Sequence, residues 1–178
     1  GKSTVAAYMA KQYGMEVLEM DEMIVERAKM SISDIFAKYG EEYFRNIETK
    51  LLQEICLQEN KVVSCGGGIV LRQQNVEEMR KGVKIVLLSA KAETILERVK
   101  DDDNRPLLRG NKNIASIQDM LEKRRPKYES AADIMIHTDA KEIAEICNVE
   151  FEFGKIKLPR FDIGDRDHFE YFKEKCYE

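Results

Sequence analysis

Short apolar segments alternate along this chain with longer amphipathic ones, and this alternation limits the fold more than any other feature. Four segments have strand character, at residues 15–20, 61–65, 83–89 and 133–137, and helical patterns separate them. The third, VKIVLLS, is a continuous apolar run of the kind found in buried parallel strands. The pattern predicts a three-layer α/β/α fold around a central parallel sheet, with ligands bound beyond the carboxyl ends of its strands.

The sequence begins with Gly1-Lys2-Ser3-Thr4, which matches the second half of the phosphate-binding motif G-x-x-x-x-G-K-[ST]. In such P-loops, backbone N–H groups at a helix N-terminus bind phosphates, the lysine reaches the β- and γ-phosphates, and the serine binds Mg²⁺. Four residues recur by chance, and a lysine at a helix start is often a surface charge, so the motif alone leaves both interpretations open. A P-loop follows a strand, and we expect that first strand of the sheet, missing from this sequence, to precede Gly1.

Two more groups of residues are expected at the same edge of the sheet. Asp21 follows the first apolar segment and could accept the proton of a substrate hydroxyl, cap a helix, or do both. Glu19, two residues earlier, could support a metal through water or be an ordinary strand-edge carboxylate. Gly66-Gly67-Gly68 follows the second strand, and a turn with one positive φ does not require three glycines. Close approach of the backbone to a ligand does.

Arg45 is predicted on a helix between aromatic and apolar residues. It could clamp a substrate carboxylate through two parallel hydrogen bonds, with Glu48 one turn later holding the guanidinium in place. The alternative is a structural ion pair with Glu48 or Glu42.

Three further arginines could bind anionic groups. Arg105 lies in a polar segment at about residues 101–113, which is either a solvated loop or a mobile lid whose arginine stabilises a transferring phosphoryl group. Arg98, just before that segment, could stack on a nucleotide base. Arg124 belongs to the basic cluster KRRPK, which is short and lies within a predicted helix. It fits a second anchor for a small anion better than a nucleic-acid surface.

Composition and charge exclude several classes of protein. The 178 residues suffice for one domain, and the net charge of −4 gives no general attraction to nucleic acid or to an anionic membrane. No apolar run approaches the length of a membrane span. The four cysteines form no C-x-x-C pair, which argues against a zinc site and favours reduced thiols in the cytoplasm. His137 and His168 lie far apart, so histidine-centred catalysis is not expected.

Taken together, the motifs of this chain resemble those of the shikimate kinase family. In chain order they are G-K-S-T, L-E-M-D, S-I-S-D-I-F, F-R-N-I-E, C-G-G-G-I-V, R-P-L-L and R-R-P-K-Y. They span residues 1–147, and their order and spacing make coincidence a poor explanation. The resemblance implies a P-loop kinase that uses ATP and Mg²⁺ to phosphorylate the 3-hydroxyl of shikimate, in the biosynthesis of aromatic amino acids.

The resemblance also implies roles for individual residues. Asp21 would receive the proton of the shikimate hydroxyl, while Arg105 would cover the phosphates and Arg98 would face adenine. The residues implied to bind ATP, with Lys2 also catalytic and Ser3 binding Mg²⁺, are Gly1, Lys2, Ser3, Thr4, Arg98 and Arg105. The residues implied to bind shikimate are Asp21, Arg45, Gly66, Gly67, Gly68 and Arg124.

The chain departs from the family pattern in three places. Glu19 stands where the family usually has an aspartate near the metal, and segment 137–141 lacks the proline expected beside adenine. Residues 148–178 have no recognised counterpart. We therefore expect a kinase-like domain at 1–147 and a C-terminal extension at 148–178. The extension either packs on its own domain or serves as a partner interface or a link to a fused domain.

Two other functions stay open on the sequence. Another small P-loop kinase, acting on gluconate or on a nucleoside monophosphate, would also hold an anion with arginines. A kinase-like protein without catalysis would serve in binding or regulation. Against the latter, Asp21, Arg45, Arg105 and Arg124 are all present.

Overall fold

The computed structural model describes residues 1–99 and 113–148. The expected lid, with Arg105, and the C-terminal extension beyond residue 148 lie outside the described residues. The helices are α1 (Lys2–Tyr13), α2 (Met20–Ala28), α3 (Ile32–Ile55), α4 (Gln73–Arg80), α5 (Ala92–Val99), α6 (Ile114–Ala131) and α7 (Ile143–Asn148). The strands are β1 (Glu16–Glu19), β2 (Lys61–Ser64), β3 (Val86–Ser89) and β4 (Ile134–His137), and a short 3-10 helix spans Ile69–Leu71.

The four described strands form two parallel pairs. Strand β1 pairs with β2, and its last residue, Glu19, lies opposite Ser64. Strand β3 pairs with β4, and Ser89 lies opposite His137. The predicted α/β fold with parallel strands is therefore confirmed, but β2 and β3 are not hydrogen-bonded to each other.

Two glycines with positive φ end or interrupt helices. Gly14 ends α1 in the left-handed conformation, with φ 63°. Gly40 interrupts α3 with φ 81° and ψ 172°, so that two helical stretches meet there at a kink. Ser31 caps the first stretch, since its hydroxyl accepts a hydrogen bond from the backbone N–H of Asp34. The kink lets α3 turn its second stretch, which carries Arg45, along the core.

The main core joins α2, α3, the 3-10 helix and α4. Its most deeply buried members are apolar side chains that leave almost nothing exposed, namely Met20, Ile24, Ile35, Leu51 and Leu52. Smaller apolar clusters lie between α1, β4 and α7 and between α5 and α6. Burying a large aliphatic side chain stabilises a fold by about 1.5–3 kcal/mol, so this core fixes α3 firmly against the loop after β2.

Two further observations concern membrane-spanning helices and cysteines. Within residues 1–99 and 113–148, no helix combines the length and the apolar character that crossing a membrane requires. Cys56, Cys65 and Cys147 are free thiols in the described part of the chain.

Candidate active site

The N-terminus of α1 lies beside the end of β1. Helix α1 begins at Lys2 with Gly1 as its N-cap, and no acidic side chain occupies its first turn. The first backbone N–H groups of a helix have no partner within it, so this end can receive an anion. The hydroxyl of Ser3 donates a hydrogen bond of 3.1 Å to the Oε2 atom of Glu19. A helix N-terminus, a hydroxyl and a carboxylate therefore meet at one edge of the β1–β2 pair.

These groups suit Mg²⁺ in their chemistry. Mg²⁺ prefers oxygen ligands and is commonly held by one or two protein groups together with substrate phosphates and water. Ser3 and Glu19 supply a hydroxyl and a carboxylate. Among the described residues, no group of three or more His, Cys, Asp or Glu side chains could hold a metal ion. A hydroxyl and a carboxylate fit a metal whose remaining ligands are substrate phosphates and water.

Asp21 lies in the first turn of α2, and the predicted helix-capping role is wrong for it. The N-cap of α2 is Glu19, because β1 runs directly into the helix. A β-carbon placed on Gly66 would lie 3.4 Å from Oδ1 of Asp21 and 3.3 Å from Oε1 of Glu48. Two carboxylates thus converge on the first glycine of the loop.

Arg45 is buried and held by two carboxylates from its own helix. Its Nη1 atom donates to Oε2 of Glu48 at 2.9 Å. Its Nη2 and Nε atoms donate to Oε1 of Glu41 at 3.0 and 3.2 Å. The expected pair with Glu48 is confirmed, whereas the pair with Glu42 is wrong, because Glu42 binds Arg72 instead. Since a guanidinium has five N–H groups and three donate here, two N–H groups are not used in these bonds.

Burial and charge shift the pKa values of this cluster. Burial raises the pKa of Glu48, and the charge of Asp21 adds to the increase, while the hydrogen bond and charge of Arg45 oppose it. Burial alone would lower the pKa of Arg45, but Glu48 and Glu41 outweigh it and raise the pKa. Burial also raises the pKa of Cys65 to about 12, with Glu48 adding to the rise and Lys2 opposing it. That thiol stays protonated at neutral pH.

Side-chain contacts, and not backbone angles, favour glycine in this loop, and they leave no room for a β-carbon at Gly68. The described glycines with positive φ are Gly14 and Gly40, so none belongs to this loop. A β-carbon on Gly67 would lie 3.3 Å from the hydroxyl of Tyr128, and one on Gly68 would overlap the guanidinium of Arg45. The groups that approach this loop here are protein side chains, and the expected approach of a ligand to its backbone stays a prediction.

Arg98 lies against the start of the P-loop motif. A β-carbon on Gly1 would be 3.8 Å from its Nη1 atom. The guanidinium donates two hydrogen bonds of 3.1 Å to Thr138, one to the hydroxyl and one to the carbonyl. Arg124 lies half-buried in α6, one turn before Tyr128. The described structure thus brings both arginines to the elements that carry the other site residues.

Sequence reasoning missed three residues of this site. Glu41 holds Arg45 from one helical turn away, and its i,i+4 spacing was a usable signal. Tyr128 and Thr138 act on partners far away along the chain, Gly67 and Arg98. Their sequence contexts carry no local sign of these contacts.

Comparison with known proteins places this arrangement in one family. The family model for shikimate kinase matches residues 1–153. The shikimate kinase of Dehalococcoides mccartyi is 37% identical over 147 residues, which is 83% of either chain. That of Moorella thermoacetica is 40% identical over 146 residues, which is 82% of this chain and 83% of the relative.

Solved structures agree with the sequence matches. Shikimate kinase from Acinetobacter baumannii, in complex with shikimate, has a TM-score of 0.80 and 32% identity, covering 84% of this chain and 83% of that one. The Aquifex aeolicus enzyme has a TM-score of 0.71 and 33% identity, covering 84% and 86%. On the family match and on these identities, the chain belongs to the shikimate kinase family.

Proposed function

We propose that this chain transfers the γ-phosphoryl group of ATP to the 3-hydroxyl of shikimate, giving shikimate 3-phosphate and ADP. The observation that carries this proposal is the convergence of Asp21, Glu48 and Arg45 on one glycine loop. A base and a carboxylate-binding fork beside the same backbone segment suit a substrate that carries both a hydroxyl and a carboxylate.

Asp21 acts as the base in this proposal. The oxygen of the shikimate hydroxyl forms a bond to the γ-phosphorus, the bond from that phosphorus to the β–γ bridging oxygen breaks, and ADP leaves. The hydroxyl proton passes to a carboxylate oxygen of Asp21. The supporting observation is that Oδ1 of Asp21 faces Gly66, where the substrate would lie against the loop.

Arg45 and Arg124 hold the substrate carboxylate. Glu48 and Glu41 keep the guanidinium of Arg45 in one orientation before any substrate arrives, which reduces the conformational entropy lost on binding. The two N–H groups of Arg45 not used in these bonds are available to a carboxylate. The glycine loop, Gly66 to Gly68, supplies backbone groups for the hydroxyls.

The nucleotide lies at the N-terminus of α1. Lys2 and the first backbone N–H groups, from Gly1 to Thr4, bind its phosphates, and Arg98 lies at the adenine side. Ser3 and Glu19 would hold Mg²⁺, which when bound neutralises charge on the phosphate oxygens. Arg105 is assigned to the same phosphates from the lid at 101–113, outside the described residues.

We further propose that the kinase domain spans residues 1–147 in a cytoplasmic protein and that residues 148–178 form a separate extension. The charge balance and the free thiols support the cytoplasmic location. Removing residues 149–178 and measuring thermal stability and oligomeric state tests the extension as a partner interface. Unchanged values would contradict that role.

The test of the proposed function is a coupled assay of ADP release by the full-length protein. We expect turnover with shikimate and none above background with gluconate or nucleoside monophosphates. Folded protein that binds ATP but does not turn over shikimate would overturn the proposal. Turnover with another of these acceptors at a higher kcat/KM would move the assignment to that substrate.

A further inference from the structure

A side chain from α6 holds the middle of the glycine loop. The carbonyls of Gly66 and Gly68 accept backbone N–H groups from three residues further on, at 3.1 and 3.0 Å. The carbonyl of Gly67 instead accepts a hydrogen bond of 2.8 Å from the hydroxyl of Tyr128, 61 residues away along the chain. The orientation of this one peptide group therefore depends on a distant side chain.

Side-chain hydrogen bonds also hold the 3-10 helix that follows the glycine loop. The amide nitrogen of Asn75, a fully buried residue, donates to the carbonyl of Ile69 at 2.9 Å. The ammonium of Lys127 donates to the carbonyl of Leu71 at 2.7 Å. These two bonds hold the 3-10 helix, whereas Tyr128 acts on the glycines themselves.

Holding a carbonyl also sets the direction of a donor. A trans peptide is planar, so the N–H of Gly68 points opposite to the carbonyl of Gly67, and the described residues contain no cis peptide. With glycine on both sides, this peptide would otherwise rotate with little steric hindrance. Gly68 also lies directly against the guanidinium of Arg45. The hydroxyl of Tyr128 thus orients a backbone donor beside the carboxylate-binding arginine.

Helix α6 carries both Tyr128 and Arg124, the second arginine of the site. Arg124 and Tyr128 are four residues apart, so they project from the same face of the helix. A shift of α6 would move both the arginine and the hydroxyl together. The loop and the arginine therefore keep a fixed relation to each other.

We propose that Tyr128 is a positioning residue for shikimate, whose hydroxyl keeps the Gly67–Gly68 peptide in the orientation that binds substrate. This inference rests on the proposed function and deepens it. Tyr128 contacts neither ATP nor the reacting atoms in this scheme. Its loss therefore weakens shikimate binding and leaves ATP binding unchanged.

The test is Tyr128→Phe in the full-length protein, with Tyr43→Phe as the matched control. Tyr43 is 45% exposed on α3, so its variant removes a hydroxyl away from the loop. We expect Tyr128→Phe to raise the KM and the calorimetric Kd for shikimate about three- to tenfold, the worth of one hydrogen bond. The KM for ATP should change less than twofold, and Tyr43→Phe should match the wild type. An unchanged shikimate Kd, or equal rises for both substrates, overturns the proposal.

A second variant tests the contact itself. In Gly67→Ala the new β-carbon meets the tyrosine hydroxyl at 3.3 Å, so the hydroxyl must shift. We expect a raised shikimate KM for Gly67→Ala alone and little further change when it is added to Tyr128→Phe. Strictly additive effects would contradict the contact. Wild-type turnover of shikimate is measured first, so that a failure of the proposed function is recognised separately.

Discussion

Gly68→Ala gives the sharpest test of how Arg45 is packed. Gly68 has φ −89° and ψ −6°, angles that alanine adopts without strain. The β-carbon, however, would overlap both terminal nitrogens and Cζ of Arg45. Arg45 is buried between Glu48 and Glu41 and cannot move aside without breaking those pairs. The whole cost of the substitution therefore falls on this one contact.

The magnitude follows from the two ways in which the fold can respond. If Arg45 is displaced, it loses a charge-assisted hydrogen bond to Glu48 worth about 1.5–3 kcal/mol. If the backbone shifts instead, overpacking costs about 1–3 kcal/mol. Either response lowers the free energy of unfolding by about 1–3 kcal/mol, or the midpoint by roughly 2–12 °C for a domain of this size. Shikimate affinity should fall as well, because the fork is displaced.

The measurement is urea unfolding, with Gly82→Ala as the control. Gly82 is exposed, and a β-carbon there meets nothing within 4 Å. Alanine at this position should be neutral or stabilising by about 0.4–1 kcal/mol. In an Arg45→Ala background, Gly68→Ala should cost little. A Gly68→Ala protein as stable as Gly82→Ala would refute the packing argument.

Three other changes have distinct expected outcomes. Asp21→Asn should lower kcat by about 10²–10⁴-fold with ATP affinity mostly intact, and wild-type turnover in a coupled assay would remove Asp21 as the base. Arg45→Lys should raise the shikimate KM about tenfold or more, because ammonium cannot form the fork; an unchanged KM would mean that Arg45 is structural. Asp139 accepts hydrogen bonds from the hydroxyl of Thr94 and the backbone of Lys91, and these lower its pKa. Because folding lowers this pKa, the ionised carboxylate of Asp139 stabilises the fold at pH values above its ordinary pKa. This stabilisation is lost as the pH falls through the lowered pKa of the folded protein. Asp139→Ala should therefore reduce stability at pH 7, and urea unfolding near pH 3 should show a smaller difference; an equal difference at both pH values would contradict this.

Local signals in the sequence were enough to predict the strands, although not every strand limit. Gly14 and Gly40 end or interrupt helices with a positive φ, which is a local property of glycine. The strand β3 was recognised from its apolar run, although the structure begins it at Val86 and not at residue 83. Strand pairing was harder, since whether a sheet is continuous depends on every strand in it, and β2 and β3 are not paired.

The partners of Arg45 show where local reasoning stops. Glu41 and Glu42 lie four and three residues before it, and both spacings allow an ion pair on a helix. The choice is made by Arg72, which follows the 3-10 helix and binds the carboxylate of Glu42 at 2.6 Å. Arg72 also donates to Asn46, so it covers this face of α3. Arg72 reaches Glu42 only in the folded chain, so the spacing of residues on the helix does not reveal this pair.

The charges around Arg45 give a physical reason for the role proposed for Arg124. Arg45 is one guanidinium among three carboxylates, those of Glu41, Glu48 and Asp21, which together leave an excess of negative charge. Burial, which raises the pKa of Glu48, lessens that excess only when its carboxyl takes up a proton. An anionic substrate would meet repulsion there unless another cation faced it, since like charges in a partly buried site are poorly screened. In the proposed scheme Arg124, half-buried on the helix that holds the loop, supplies that second cation.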